Sequence, residues 1–406
     1  MLGHLHDIEG KANCLIRKAQ NLEKRLKVAE EQIMAWLGYD ENNPLNYAKE
    51  QSQGSGESRQ CAVVFDGDDY YLAEWDAALY DTEPGVIPYL HIYKNGALQH
   101  SIALFTDIGG SSTTRYSSVC PVTYRDGYFF YVHGSAVSNR LALKIYKYKL
   151  STGVSTLTDT EWADDGTTEL ENHHMAVGID YDPIEDVFYA VGSVVKTGGG
   201  TSYTLRIWQL DTDGVADHRV SNPTATYAEN IALFPSNGTV YFMRDTPNNV
   251  FFQSVAGASV DATSFTTIAQ DTGYDHSNGP WIGPYGLYIR PSSLTTLRVA
   301  AITWDLSSYL DSYHNIAFLQ KIDGDHNYYA ITIKAGTAYC LKLANAGTLT
   351  NLGSKSLSVA ADYQVQTYSG AWHERGSTGL NPLGDFLALG TAIKQLHINI
   401  PNRDVL

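Results

Sequence analysis

Two rows of apolar residues, each spaced by seven, run through the start of the chain. Leu5, Ala12, Ala19, Leu26 and Ile33 make one row; Ile8, Leu15, Leu22, Ala29 and Trp36 make the other, three residues later. An a/d pattern kept for about five heptads predicts a left-handed parallel coiled coil. With Leu5 as a, Lys18 and Arg25 fall on g while Glu23 and Glu30 fall on e. A parallel assembly then pairs Lys18 with Glu23 and Arg25 with Glu30 of a neighbouring helix. A single amphipathic helix laid on the rest of the chain is the alternative, and it gives no reason for that complementarity.

No a position holds Asn, the residue that specifies dimers, and Arg25-Leu26-Lys27-Val28-Ala29-Glu30 resembles the signature of short parallel trimers. The expected stem is therefore a homotrimer, with residues 4–37 forming a rod of about 50 Å. Gly38 ends it. Residues 39–60 are polar, contain Pro44 and the run Gln51-Ser52-Gln53-Gly54-Ser55-Gly56-Glu57-Ser58, and read as a flexible linker. The expected division is thus a stem at 1–38, a linker at 39–60 and a head at 61–406.

In the head the pattern changes to short Tyr/Val/Ile-rich runs broken by Gly, Asn, Asp and Pro, which predicts a mainly β fold. One strand form recurs: Leu90-His91-Ile92-Tyr93, Leu143-Lys144-Ile145-Tyr146, Leu205-Arg206-Ile207-Trp208, Leu297-Arg298-Val299-Ala300 and Leu396-His397-Ile398-Asn399. Degenerate copies stand at Val250-Phe251-Phe252-Gln253 and Tyr339-Cys340-Leu341-Lys342. Turn signals such as Asn95-Gly96, Thr152-Gly153 and Asp213-Gly214 follow many of them. Seven occurrences between residues 90 and 396, about 51 residues apart, are the spacing of four-stranded propeller blades. A seven-bladed β-propeller is expected, with six or eight blades as alternatives. The segment Asp385–Pro401 is expected to close the ring with an early strand near residues 61–75. The stretch Leu205-Arg206-Ile207-Trp208-Gln209-Leu210-Asp211-Thr212-Asp213-Gly214 resembles the third strand and turn of a WD-repeat blade, without that family's Gly-His and Trp-Asp dipeptides.

Charge narrows the partners. The net charge is −16, and beyond residue 60 the chain carries 20 Lys/Arg against 35 Asp/Glu. An acidic head argues against nucleic acid and anionic membranes. Cys14, Cys61, Cys120 and Cys340 lack metal-binding or disulfide-framework spacing. The N-terminus has no basic segment followed by an apolar one, so no secretory signal is read, and no run is long enough to span a membrane.

Candidate chemistry is sparse. Asp211, Asp213 and Asp217 resemble an acidic calcium loop, but the Glu of the EF-hand pattern is missing and the Asp-Gly hairpin reading leads. Asp66-Gly67-Asp68-Asp69 and Asp323-Gly324-Asp325-His326 are weaker forms of the same signal. Glu171-Asn172-His173-His174 lacks the helical spacing of a metal site, and His373-Glu374-Arg375 beside Trp372 is a candidate rim residue group. Trp75, Trp162, Trp208, Trp281, Trp304 and Trp372, with the many tyrosines, could stack on sugar rings, but most are expected in core and inter-blade packing. No Gly-x-Ser-x-Gly or His-Glu-x-x-His motif occurs, so no enzymatic activity and no obligatory cofactor are expected.

A coiled-coil stem bearing β heads, without a signal peptide, resembles the fibre and spike proteins of tailed bacteriophages. The resemblance lies in domain order alone. It implies a virion protein made in the host cytoplasm, docked to other virion proteins by its N-terminus and presenting the head to a host-surface glycan or protein. The alternatives are a structural virion component, such as a tail nozzle, and a polysaccharide-degrading enzyme on a propeller scaffold.

Overall fold

A computed structural model describes residues 49–52, 58–66, 69–76, 89–94, 97–103, 115–118, 122–137, 140–163, 173–182, 184–196, 202–222, 228, 231–246, 249–272, 288–289, 295–299, 301–310, 316–319, 328–356, 383–390 and 394–401. The heptad positions Leu5, Ile8, Leu15, Lys18, Leu22, Glu23, Arg25, Leu26, Glu30, Ile33 and Trp36 lie outside the described residues, as do Glu171, Asn172 and the segments around Asp323 and Trp372.

Every regular element among the described residues is a strand, and the strands follow one another as antiparallel meanders. Strand β1 is Lys49–Ser52. The first sheet holds β2 (Ser58–Asp66), β3 (Asp69–Asp76), β4 (Tyr89–Lys94) and β5 (Ala97–Ala103). After β6 (Arg115–Ser118) the second sheet holds β7 (Val122–Arg125), β8 (Tyr128–Val137), β9 (Arg140–Lys149) and β10 (Val154–Trp162). The third holds β11 (His173–Asp182), β12 (Val187–Lys196), β13 (Ser202–Leu210) and β14 (Ala216–Ser221), and β6 joins it. The fourth holds β15 (Ile231–Ser236), β16 (Thr239–Thr246), β17 (Asn249–Ala256) and β18 (Thr266–Thr272). The fifth holds β19 (Tyr288–Ile289), β20 (Thr296–Val299) and β21 (Ile302–Asp305). The sixth holds β22 (Ile316–Leu319), β23 (Tyr328–Lys334), β24 (Thr337–Leu343) and β25 (Leu349–Ser356). The hairpin of β26 (Leu383–Gly390) and β27 (Lys394–Pro401) forms the last sheet together with β1.

Five of the seven recurrent segments are the third strands of their meanders, β4, β9 and β13 with the Leu-x-Ile form and β17 and β24 with the degenerate one; Leu297-Arg298-Val299 lies in β20 and Leu396-His397-Ile398-Asn399 in β27. The apolar residues of the Leu-x-Ile form are buried, with Leu90, Ile92, Leu143, Ile145, Leu205 and Ile207 all at 0% exposure. Turns behave as their residues require. Asp126-Gly127 and Asn237-Gly238 both take positive φ at two successive positions (48° and 82°, 51° and 69°), the geometry of a tight hairpin that follows the strand twist.

The first strands of neighbouring sheets approach one another in the order β26, β2, β7, β11, β15. One buried cluster joins the first three sheets, from Tyr71 to Leu210, and another joins the third to the fourth around Tyr189, Val220, Leu233 and Phe242. A further cluster joins the fourth, fifth and sixth through Met243, Leu297, Trp304 and Leu341. Such radial stacking of four-stranded meanders is a β-propeller. Trp208 and Trp304 are core residues, 2% and 1% exposed, as the composition led one to expect. Burial of each aromatic of this kind stabilises by about 2–3 kcal/mol.

The closing strand differs from the expected one. The C-terminal hairpin pairs with Lys49–Ser52, in register from Lys49↔His397 to Ser52↔Lys394, while the strands at 58–76 stay in the first sheet. Strand β1 therefore lies within the segment whose composition reads as linker.

Hydrogen bonds between sheets carry the repeat as well. Thr123 to Asp180, Arg125 to Tyr181, Thr158 to Gly214, Ala216 to Asp159 and Gly238 to Asp182 span 56 or 57 residues each. They tie consecutive sheets to one another.

Candidate active site

The inner strands of three consecutive sheets can be aligned by their pairing. Thr123 pairs with Phe130, Asp180 with Tyr189 and Phe234 with Tyr241, each two places before the pair that closes its turn. Thr123 and Phe234 are buried, at 3% and 5% exposure, so this is a core position in these sheets. Of these three strands, β11 is the one with an ionisable side chain there.

Asp180 is partly buried. Its Oδ1 accepts hydrogen bonds from the Tyr181 amide at 2.8 Å and from Thr123 Oγ1 at 3.2 Å. Burial, with a smaller contribution from the nearby Asp182, pushes its pKa up to about 7, against the two hydrogen bonds that favour the charged form. A carboxylic acid that exchanges its proton near neutrality is thus held on the innermost strand.

Asp182, two residues on, is fully buried and serves the backbone. Its Oδ1 accepts from the amides of Ile184 (3.0 Å) and Glu185 (3.4 Å), which shapes the turn, and its Oδ2 accepts from the Gly238 amide of the next sheet at 2.9 Å.

Beside them lies an Arg-Tyr-Asp group. Arg125 donates to Asp186 through Nε (2.9 Å) and Nη2 (3.1 Å), and its Nε also reaches the Tyr181 hydroxyl at 3.3 Å. The Tyr181 hydroxyl donates to Asp186 Oδ1 at 2.5 Å. That hydroxyl, then the Arg125 guanidinium, holds the Asp186 carboxyl below the usual range, while burial raises the Tyr181 phenol. The two carboxyls are shifted in opposite directions, Asp180 upward by burial and Asp186 downward by Tyr181 and Arg125.

Arg125–Asp186 also has counterparts elsewhere. Lys147 pairs with Asp213 at 3.0 Å, Arg298 with Asp271 at 2.7 Å and Arg219 with Asp261. Charged pairs between consecutive sheets thus recur among the described residues, whereas of the three strands aligned above β11 alone carries an aspartate at the place of Thr123 and Phe234.

The acidic loop read from the sequence is a turn. Asp211 Oδ1 accepts from the amides of Asp213 and Val215, both at 2.9 Å, Asp213 faces Lys147, and Asp217 faces His218 Nδ1 at 3.0 Å. Among the described residues no three His, Cys, Asp or Glu side chains gather as a metal site. His173 and His174 open β11. Asp66 and Asp69 flank the β2–β3 turn and pair across it. Cys340 is buried and its thiol is pushed up to about 12, so it is chemically quiet.

None of Thr123, Arg125, Asp180, Tyr181 or Asp186 stands out in the sequence. The available signal was the alignment of Val122-Thr123-Tyr124, Ile179-Asp180-Tyr181 and Leu233-Phe234-Pro235 as like strands, in which an acid stands between an uncharged Thr123 and Phe234.

No family model and no curated protein matches the chain. Among solved structures it is similar to a sialidase of Trypanosoma rangeli, with a TM-score of 0.40 and 10% identity over 87% of this chain. The chain spans 55% of that protein's length. It is similar to an α-L-arabinanase of Penicillium chrysogenum, with a TM-score of 0.39, 11% identity and coverage of 88% of this chain and 99% of the other. The β-propeller domain of the trilobed protease from Pyrococcus furiosus gives a TM-score of 0.38 and 8% identity over 87% of this chain and 99% of that one. At this level no residue or activity is carried from one protein to another. The finding corrects two expectations from the sequence, a fibre- or adhesin-type protein and the absence of enzymatic activity: a sialidase and an arabinanase are among these similar structures.

Proposed function

We propose that the chain cleaves glycosidic bonds in a polysaccharide, using a seven-bladed head in which each sheet is one blade and Asp180 is the general acid. The observation that carries this reading is Asp180 itself, a carboxyl with a pKa of about 7 at a position where neighbouring sheets place Thr123 and Phe234. A buried acid costs stability, and proteins keep such groups where chemistry uses them.

In glycoside hydrolysis one carboxylic acid protonates the leaving oxygen while a carboxylate acts on the opposite side of the bond. Asp180 supplies the proton. Asp186, kept ionised by Tyr181 and Arg125, is the carboxylate partner. The proton that Asp180 gives to the leaving oxygen is replaced from the water that completes the cleavage. The head's balance of 20 Lys/Arg against 35 Asp/Glu favours a neutral polysaccharide over a polyanionic one. The heptads at residues 5–36 gather copies of the head on a stem, which multiplies contacts with a polymeric substrate.

The test is the release of reducing ends from a panel of neutral and acidic polysaccharides. Asp180→Asn is expected to lower the rate by about 10²-fold or more with the fold intact. Wild-type protein that releases no reducing ends from any of them ends this reading.

A further inference from the structure

Asp180 is gripped by one of its two oxygens. Both hydrogen bonds that it accepts among the described residues go to Oδ1, from the Tyr181 amide at 2.8 Å and from the Thr123 hydroxyl at 3.2 Å. An amide N–H can only donate, so Oδ1 must offer it a lone pair in either protonation state, and the hydroxyl takes the second. When the carboxyl is protonated its hydrogen therefore sits on Oδ2. The residue is partly exposed, and Oδ2 is the oxygen left to meet water or a substrate.

The two donors differ in origin. Tyr181 follows Asp180 on β11, so its amide goes wherever that strand goes. Thr123 belongs to β7 of the second sheet, buried beside the fully buried Val122, so packing in the second sheet holds its hydroxyl in place. The second contact is thus set by how one sheet sits against the next. A donor to a carboxylate favours the charged form, so losing it makes the group a weaker acid.

We infer that Thr123 is a positioning residue for the acid: its hydroxyl, crossing from the second sheet to the third, fixes the rotation of the Asp180 carboxyl and so assigns the transferable proton to Oδ2. The catalytic part of this inference rests on the hydrolytic reading above, in which Oδ2 gives that proton to the leaving oxygen. The place of the proton stands on the two contacts alone.

The test uses the full chain with Thr123→Val, which keeps the shape and removes the donor, and Thr123→Ser, which keeps the donor. Infrared difference spectra read the carbonyl band of the protonated carboxyl, assigned to Asp180 by its loss in Asp180→Asn. In acid, that band is expected at higher frequency in Thr123→Val than in the wild type, because a carbonyl relieved of a hydrogen bond stiffens; Thr123→Ser is expected to restore the wild-type frequency. Titration of the band is expected to move up by about one pH unit in Thr123→Val and to stay in place in Thr123→Ser. The Asp182 carboxyl also bears on Asp180, but it is present in every variant and cancels from the comparison. If Thr123→Val does not fold, Thr123→Ala removes the same donor and is read in the same way. A band and a titration that the loss of the hydroxyl leaves unmoved overturn the role of Thr123. On the hydrolytic reading the alkaline limb of the pH profile moves up with the band; a limb that stays while the band moves overturns Asp180 as the general acid. Absence of any hydrolysis overturns the reading on which the catalytic part rests, and the infrared bands still decide the role of Thr123.

Discussion

Thr123 and Asp180 occupy the same place in consecutive sheets and touch, the threonine hydroxyl donating to the aspartate at 3.2 Å. The contact joins a residue chosen for packing to one that packing does not favour. In the folded state Asp180 keeps its proton up to about pH 7, whereas an unfolded chain releases it near 3.8.

The sign of the linkage follows. Between those pH values the native state binds more protons than the unfolded one, so stability falls as pH rises. Three pH units correspond to roughly 4 kcal/mol. Asp180→Leu, which puts an apolar side chain at this place as Phe234 does in the next sheet, is therefore expected to raise stability at pH 8 by roughly 2–4 kcal/mol and to leave it little changed at pH 4. Urea denaturation at the two pH values checks this. The same substitution is expected to remove hydrolysis.

The two other aspartates beside it differ in what they hold. Asp182 is fully buried and satisfies three amides, those of Ile184, Glu185 and Gly238. Asp182→Ala leaves three donors without that acceptor and is expected to cost roughly 2–4 kcal/mol. Asp186, whose side chain is 53% exposed, meets Arg125 at the surface. Asp186→Ala is expected to cost under about 1 kcal/mol of stability while reducing hydrolysis. Thermal melts separate the two classes, and equal losses from both substitutions would count against the assignment.

Gly257 tests the packing between the third and fourth sheets. A Cβ there would stand 2.1 Å from the Tyr189 hydroxyl and 3.0 Å from the Gly238 carbonyl oxygen. The Tyr189 hydroxyl in turn donates to Gln209 at 3.1 Å. Gly257→Ala is expected to destabilise by roughly 1–3 kcal/mol, and adding Tyr189→Phe is expected to recover part of it. A double-mutant cycle measures the recovery; strict additivity would mean that the strain lies with Gly238.

Much of this architecture is legible in the sequence, and the exceptions share a cause. Strands such as Leu143-Lys144-Ile145 and Leu205-Arg206-Ile207 announce themselves because alternate residues enter the core. The turns at Asp126-Gly127 and Asn237-Gly238 announce themselves because few residues tolerate their backbone. Strands β1, Lys49-Glu50-Gln51-Ser52, and β6, Arg115-Tyr116-Ser117-Ser118, have no apolar alternation. They are strands because another strand offers an open edge, a fact carried by the partner and not by the segment. Asp180 was hidden for a related reason: alone it is one acid among many, and only pairing register shows the column it interrupts.

His133 provides a pH signal of the opposite sign. It is 8% exposed on β8, its ring meets Tyr146 edge-on at 5.9 Å, and its Nδ1 has no hydrogen-bond partner. Burial, then the charge of Lys144 paired across the strand, lowers its pKa to about 4 from 6.5. Between pH 4 and 6.5 the unfolded chain binds the extra proton, so this group makes stability rise with pH, by roughly 3 kcal/mol over that span. Over the same range Asp180 acts the other way, and the two slopes largely offset each other in the wild type. Asp180→Leu is accordingly expected to expose a steep loss of stability on acidification from pH 6.5 to 4. Adding His133→Phe, which fills the same site without a titrating nitrogen, is expected to flatten it. Denaturation midpoints of the two variants between pH 4 and 7 decide the matter, and a steep slope that survives the second substitution would place the titrating group elsewhere.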